Sequence, residues 1–218
     1  MRNKEFILFD LDGTLTDPQK GITNSVKYAL EFYGIVENDY NVLLSFIGPP
    51  LVDSFCKIYG FDKEKAFEAV LKYREYFINK RGMFENKVFD GTKALLDNIS
   101  RSGRKNILVT SKPEEQAIEI LKHFDLYKYF YDVCGATTDE KRSKKIDVLK
   151  FAVEKNQIDI ERAVMIGDRM FDVGAASELG MTSIGVTFGF GTREELKNAG
   201  ASYIAESIKE LNDIILKG

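Results

Sequence analysis

Histidine and cysteine are scarce in this 218-residue chain: His123 is the one histidine, and two cysteines, Cys56 and Cys134, stand far apart. A single histidine, on a helical pattern beside Phe124, leaves no basis for a histidine-centred triad and reads as a half-buried packing residue. Two isolated cysteines without metal-ligand spacing read as reduced, buried thiols rather than a disulfide framework or a zinc site. No apolar run approaches the length of a membrane span, and the first residues read as a strand rather than a signal peptide. Net charge is −3 with both signs interspersed, so no basic stripe suggests a nucleic-acid polymer. These absences point to a cytoplasmic protein that engages neither membrane nor nucleic acid. Core material is ample: apolar residues make up 44% of the chain. The length suits one large α/β domain, or a domain with a small insertion.

The strongest signal is Phe6-Ile7-Leu8-Phe9-Asp10-Leu11-Asp12-Gly13-Thr14-Leu15-Thr16. Four apolar residues read as a short buried strand, and it runs directly into two carboxylates. Such a pair is costly beside a hydrophobic strand unless a cation neutralises it or one member is used chemically. The pattern therefore points to a magnesium and phosphoryl site, although an acidic turn is the plainer reading of the pair taken alone.

After Asp17-Pro18, Ile22, Val26, Ala29, Leu30 and Tyr33 recur at helical steps and stop at Gly34. Similar patterns cover residues 42–46, 51–59 and 66–77, and nothing between 16 and 81 reads as a strand. Residues 16–81 are thus expected to form an all-helical insertion of roughly 65 residues, shorter than a typical whole domain. Its aromatic residues Phe32, Tyr33, Phe55 and Tyr59 read as packing. From Val88 onward, strands at 106–110, 131–135, 162–166 and 182–186 alternate with helical patterns, 182–186 being the last clear strand. Crossover handedness and two buried faces make residues 1–15 and 82–218 a doubly wound, Rossmann-like parallel sheet of the α/β class. Ligands of such sheets sit beyond the carboxyl ends of the strands, at the switch in strand order. Asp10, Asp12, Thr110 and Asp168 all fall at such ends.

Three further stretches belong with the first. Thr110-Ser111-Lys112-Pro113 closes an apolar strand and leads into a helix whose amino terminus adds amide donors; Thr110 alone could equally be a cap. The segment Asp139-Glu140-Lys141-Arg142-Ser143-Lys144-Lys145 offers four cations ahead of a helix containing Val148 and Leu149. Gly167-Asp168-Arg169-Met170-Phe171-Asp172 follows another buried strand, with Asp172 placed where a helix-terminal acid also sits. The late glycine-rich run from Gly185 to Thr192 departs from dinucleotide-binding spacing. It reads as a loop flanking the site, with Phe188 or Phe190 near substrate.

Together these four stretches resemble the motifs of the haloacid dehalogenase-like phosphatases, over essentially the whole chain. The phosphoglycolate-phosphatase-like branch with a helical cap is the nearest pattern. The resemblance implies that Asp10 is a carboxylate nucleophile. Asp12 would be a general acid and then base whose backbone carbonyl ligates magnesium. Thr110 would hold a phosphoryl oxygen, with Gly13 and Ser111 beside it, although many relatives carry asparagine where this chain has Ser111. Lys145, or Lys144 as the alternative, would neutralise Asp10 and the phosphoryl group. Asp168 would bind magnesium directly beside Asp10, and Asp172 through water or by orienting the site. The insertion would be a cap whose Gly48-Pro49-Pro50 loop reaches the substrate, where the residues by themselves read equally as a helix–helix turn.

The expected activity is magnesium-dependent hydrolysis of a small phosphorylated metabolite through an aspartyl-phosphate, by a monomer or homodimer. Phosphoglycolate, a sugar phosphate and a nucleoside monophosphate all fit. A phosphomutase and an inorganic pyrophosphatase share the motifs and stay open. A dehalogenase needs no metal and so no Asp12–Asp168 set. A phospho-acceptor signalling domain uses similar residue types, but it needs no cap, and a base at Asp12 would hasten loss of its phosphoryl group.

Overall fold

In chain order the computed structural model runs β1 (Phe6–Phe9), β2 (Thr16–Asp17), α1 (Gln19–Glu31), α2 (Tyr40–Leu44), α3 (Leu51–Tyr59) and α4 (Lys63–Arg74). There follow β3 (Lys87–Val88), α5 (Thr92–Arg101), β4 (Lys105–Pro113), α6 (Glu114–His123), β5 (Phe130–Ala136) and α7 (Lys145–Lys155). The chain finishes with β6 (Ala163–Gly167), α8 (Met170–Glu178), β7 (Thr182–Val186), α9 (Arg193–Asn198), β8 (Tyr203–Ala205) and α10 (Ile208–Lys217). The structure describes residues 1, 3–137 and 141–217, so Asp139 and Glu140 of the basic segment lie outside it. Among the described residues no helix is long and apolar enough to cross a membrane. Two compact units emerge, Met1–Thr16 with Val88–Gly218, and Asp17–Lys87.

The first unit is a six-stranded sheet ordered β5-β4-β1-β6-β7-β8, every pairing parallel. Strand order reverses around β1, which pairs with β4 on one side and β6 on the other. This is the doubly wound, Rossmann-like arrangement, and its crevice opens at the carboxyl ends of β1, β4 and β6. All four residues of β1 are buried, as a central parallel strand covered on both faces requires. Phe6 and Leu8 point to one face and join Ile107, Val109 and Met165 with Val148, Leu149 and Ala152 of α7 and Ala175 and Ala176 of α8. Ile7 and Phe9, equally buried, take the other face. The sequence reading stops the strands at residue 186, whereas β8 adds a sixth. It is three residues long at a sheet edge, with Tyr203 exposed, and so short a segment shows no periodicity until β7 pairs with it. His123 is exposed rather than half-buried, its ring set edge-on to Phe124 at 4.7 Å. Cys134 is buried, but Cys56 is only half-buried.

The second unit is helical except at its ends, where Asp17 and Lys87 belong to the two-residue strands β2 and β3. The sequence reading expected no strand in residues 16–81, and a two-residue strand formed by pairing with a remote segment shows no periodicity. Phe46, Phe55, Tyr59, Phe61 and Tyr33 form its aromatic core, with Phe46–Phe55 centroids 5.0 Å apart and Tyr33–Phe61 centroids 5.1 Å apart. Phe32 does not join that core but lies exposed, with Lys72 over its ring. Helix α3 ends at Gly60 in the left-handed conformation, and Asp62 then caps α4 by accepting from the Lys65 amide at 2.8 Å. A π-helical turn, Glu75–Asn79, continues α4. The sequence reading begins the core at residue 82, but residues 82–87 make their contacts here. Glu85 accepts from the Gly21 amide at 2.9 Å through its carbonyl, and from Tyr76 and Asn24 through its carboxylate. Those tertiary bonds carry no local sequence signature.

Candidate active site

Three strand ends bring the acidic residues together. Asp10 follows β1, and its amide still donates to Ile166 of β6 at 2.9 Å, which sets its side chain at the strand mouth. Asp168 follows β6, and Asp172 lies in the first turn of α8. Carboxylate oxygens of Asp10, Asp168 and Asp172 lie within 4.8 Å of one another, and all three residues are buried. Lys145, the first residue of α7, reaches under them. Its Nζ lies 2.6 Å from Asp10 Oδ1 and 2.8 Å from Asp172 Oδ1, and donates to the Val109 carbonyl at 3.0 Å. Lys144, immediately before the helix, is exposed.

Asp168 is held from the glycine-rich loop: the Phe190 amide donates to its Oδ2 at 2.8 Å. Its Oδ1 is buried with no hydrogen-bond partner among the described residues. Gly13, at φ +84°, packs so tightly that a Cβ there would collide with Asp168 Oδ2, and a Cβ on Gly189 would collide with the Gly13 carbonyl. Asp172 also performs the plainer duty expected of a helix-terminal acid, its Oδ2 accepting from the Arg169 amide at 3.2 Å. Arg169 pairs with Glu195 at 2.9 Å.

The second group gathers at the end of β4. Between Val109 and Pro113 this strand advances four residues while β5 advances two, from Cys134 to Ala136. The resulting bulge re-aims side chains, as bulges beside active sites commonly do. Thr110 is buried, and its Oγ accepts from the Lys112 amide at 3.2 Å, which leaves its own hydroxyl proton available. Ser111 is half-buried. Lys112 Nζ reaches Asp12 Oδ2 at 2.9 Å, with the lysine side chain only 7% exposed. The Asp12 side chain thus stands apart from the acidic cluster, and only its backbone carbonyl remains as the ligand expected from this residue. Gly48 and Pro49 belong to the helical unit, in the exposed to half-buried loop between α2 and α3, with Gly48 at φ +105°. Lys112 is absent from the sequence-derived site. Its one signal is a cation directly after the strand-end Thr110, and only the bulge reveals where it points.

The electrostatics call for a cation. Burial, then the facing Asp172 and Asp10, push the Asp168 carboxyl well up, and burial also raises Asp172 against the pull of Lys145. Burial disfavours the Lys145 ammonium, but Asp10 and Asp172 outweigh it and raise its pKa. Burial likewise raises Asp12, against Lys112. Four carboxylates face two lysines, and among the described residues the buried Asp168 Oδ1 has no hydrogen-bond partner. Hard oxygen donors in that excess fit magnesium.

Comparison with known proteins places the chain in a family. A family model described as haloacid dehalogenase-like hydrolase matches residues 7–186. A 5'-nucleotidase of Pseudomonas aeruginosa is 42% identical over 209 residues, covering 96% of this chain and 94% of that protein. Tyrosine-protein kinase PtkA of Mycobacterium tuberculosis is 34% identical over 213 residues, 97% of this chain and 72% of that protein. The crystal structure of a predicted phosphatase from Clostridium acetobutylicum superposes with a TM-score of 0.93 at 48% identity, covering 99% of both chains. With the family model spanning most of its length, the chain belongs to the haloacid dehalogenase-like hydrolases.

Proposed function

We propose that the chain is a magnesium-dependent phosphomonoesterase of small phosphorylated metabolites, with nucleoside 5'-monophosphates as the leading substrate class. The observation that carries this reading is Lys145 bridging Asp10 and Asp172 beside Asp168. It orients one carboxylate, Asp10, at the mouth of the switch-point crevice. The substrate class is drawn from the nucleotidase relative.

Asp10 attacks phosphorus, the ester P–O bond breaks, and the leaving oxygen takes a proton from Asp12. The product is an acyl phosphate on Asp10. Asp12, now a carboxylate, removes a proton from water as that water attacks phosphorus; the P–O bond to Asp10 breaks and phosphate departs. Lys145 holds Asp10 by its Oδ1 at 2.6 Å and offsets charge on the transferred oxygens. The Thr110 hydroxyl, with Gly13 and Ser111 alongside, orients them. Asp10, Asp168 and the Asp12 carbonyl, with Asp172 as support, would hold magnesium, which when bound would supply further positive charge to the transferring group. We assign the helical unit, with Gly48 and Pro49, the role of a cap that reads the leaving group. A cytoplasmic setting accords with the free thiols Cys56 and Cys134.

The test is phosphate release from a panel of monoesters, with and without magnesium, comparing wild type with Asp10→Asn. Metal-dependent release lost in the variant supports the reading, and equal rates in both proteins refute Asp10 as nucleophile. The kinase relative favours a second reading, transfer from ATP to tyrosine. Stable phosphotyrosine without ester hydrolysis would select it.

A further inference from the structure

The two lysines of the site do different work. Lys145 sits among the acidic residues, whereas Lys112 reaches Oδ2 of Asp12 at 2.9 Å. The opposite oxygen, Asp12 Oδ1, is buried with no hydrogen-bond partner among the described residues. Leaving a carboxylate oxygen unpartnered out of water costs free energy, and a catalytic role is one recognised reason for a protein to keep such an atom. The lysine lies within the bulge that β4 carries between Val109 and Pro113. The bulge is pinned from outside. Gly135 of β5 packs against the Glu114 backbone and the Lys112 carbonyl where a Cβ would leave 2.5 Å and 2.8 Å, and the Gly135 amide donates to Glu114 Oε2 at 3.1 Å. Lys112 is thus held at its backbone and aimed at its tip.

We infer that Lys112 is the positioning residue of proton transfer: it anchors Asp12 by Oδ2 and so commits Oδ1 to carry the proton. In the first step the Oδ1–H bond breaks as the leaving oxygen takes the proton, and in the second Oδ1 takes a proton from water. Lys112 touches neither reacting group. This inference rests on the proposed role of Asp12 and adds which atom acts and what holds it.

A misaimed general acid matters most to leaving groups that need protonation. Alkyl phosphates depart as alkoxides unless protonated, whereas p-nitrophenolate leaves readily without help. The experiment measures kcat/KM, which reports the first phosphoryl transfer, over p-nitrophenyl, phenyl and alkyl phosphates for wild type, Lys112→Met and Lys112→Arg. Since a general acid contributes about 10²–10⁴-fold, Lys112→Met should lower alkyl turnover by about 100-fold and p-nitrophenyl turnover by under about tenfold. Arginine should recover part of the alkyl loss. In an Asp12→Asn background, Lys112→Met should add no further leaving-group dependence. A loss of equal size across the series would overturn the inference, because a merely structural or phosphate-binding lysine acts on every ester alike. No loss at all would overturn it too. Lys112→Gln carries the same test should the methionine variant fail to fold. Wild type inert toward every ester would instead refute the phosphatase reading beneath it, a result distinct from a uniform loss.

Discussion

Replacing Lys145 with methionine removes the cation set between Asp10 and Asp172, at 2.6 Å and 2.8 Å. At an effective dielectric of about 20, each contact carries a gross attraction of about 6 kcal/mol. Much of that is offset by taking three charged groups out of water, so the net effect of deleting one partner of a buried pair is about 3–5 kcal/mol. A protein of this size loses about 2–4 °C in Tm per kcal/mol, so the variant should melt roughly 6–20 °C lower in EDTA. Magnesium should return part of the loss, because a divalent cation supplies the missing charge to the same carboxylates. Removing the stranded acid as well, in Lys145→Met/Asp172→Asn, should recover at least about 1 kcal/mol over the single variant. Scanning calorimetry on the three proteins, with and without magnesium, measures all of this. A single-variant shift below about 2 °C, or a double variant no better than the sum of its parts, would show that Lys145 does not hold the cluster together.

Asp168→Asn should raise the melting temperature in EDTA, since it removes a mutually repelling buried charge, while abolishing the magnesium-induced rise seen in wild type. Thermal shift against magnesium concentration reads both effects. Gly13→Ala, which drives a methyl into Asp168 Oδ2 at φ +84°, should cost about 1–3 kcal/mol of stability. Its magnesium titration should move to higher concentration, and an unchanged titration would mean the close approach is not needed. Burial pushes the Cys134 thiol up to about 12, so in the folded protein it should resist iodoacetamide at pH 8 while half-buried Cys56 reacts. The neutral thiol is the favoured folded form, so its contribution to stability is complete below the ordinary thiol pKa and fades as pH rises from about 9 toward 12. Peptide mapping after alkylation at stepped pH follows both residues.

Local pattern carried much of the fold. Four apolar residues before Asp10 could only be a buried strand. Leu51–Tyr59 is bounded by Pro50 and Gly60, and its limits coincide with α3. Alternation of strands and helices after Val88 implied the parallel sheet, because parallel neighbours need crossovers. Legibility failed where structure depends on a remote partner. β8 exists because β7 offers an edge, and residues 82–87 join the helical unit because Glu85 binds Gly21, Asn24 and Tyr76. Phe32 read as packing because it is aromatic, yet it lies at the end of α1 and stays exposed, with Lys72 of α4 over its ring.

For the site, the sequence by itself determined which residue types stand there: carboxylates after buried strands, where an unneutralised charge is costly. It also marked the residues at the carboxyl ends of β1, β4 and β6, since that position follows from strand limits. Tertiary structure decided the pairings. It set Lys145 rather than its neighbour Lys144 at Asp10, because the first residue of α7 faces inward and the one before it faces solvent. It brought the Phe190 amide to Asp168 across 22 residues and Lys112 to Asp12 across the sheet. Spacing in a chain does not encode such distances; they follow from strand order and from one bulge in β4.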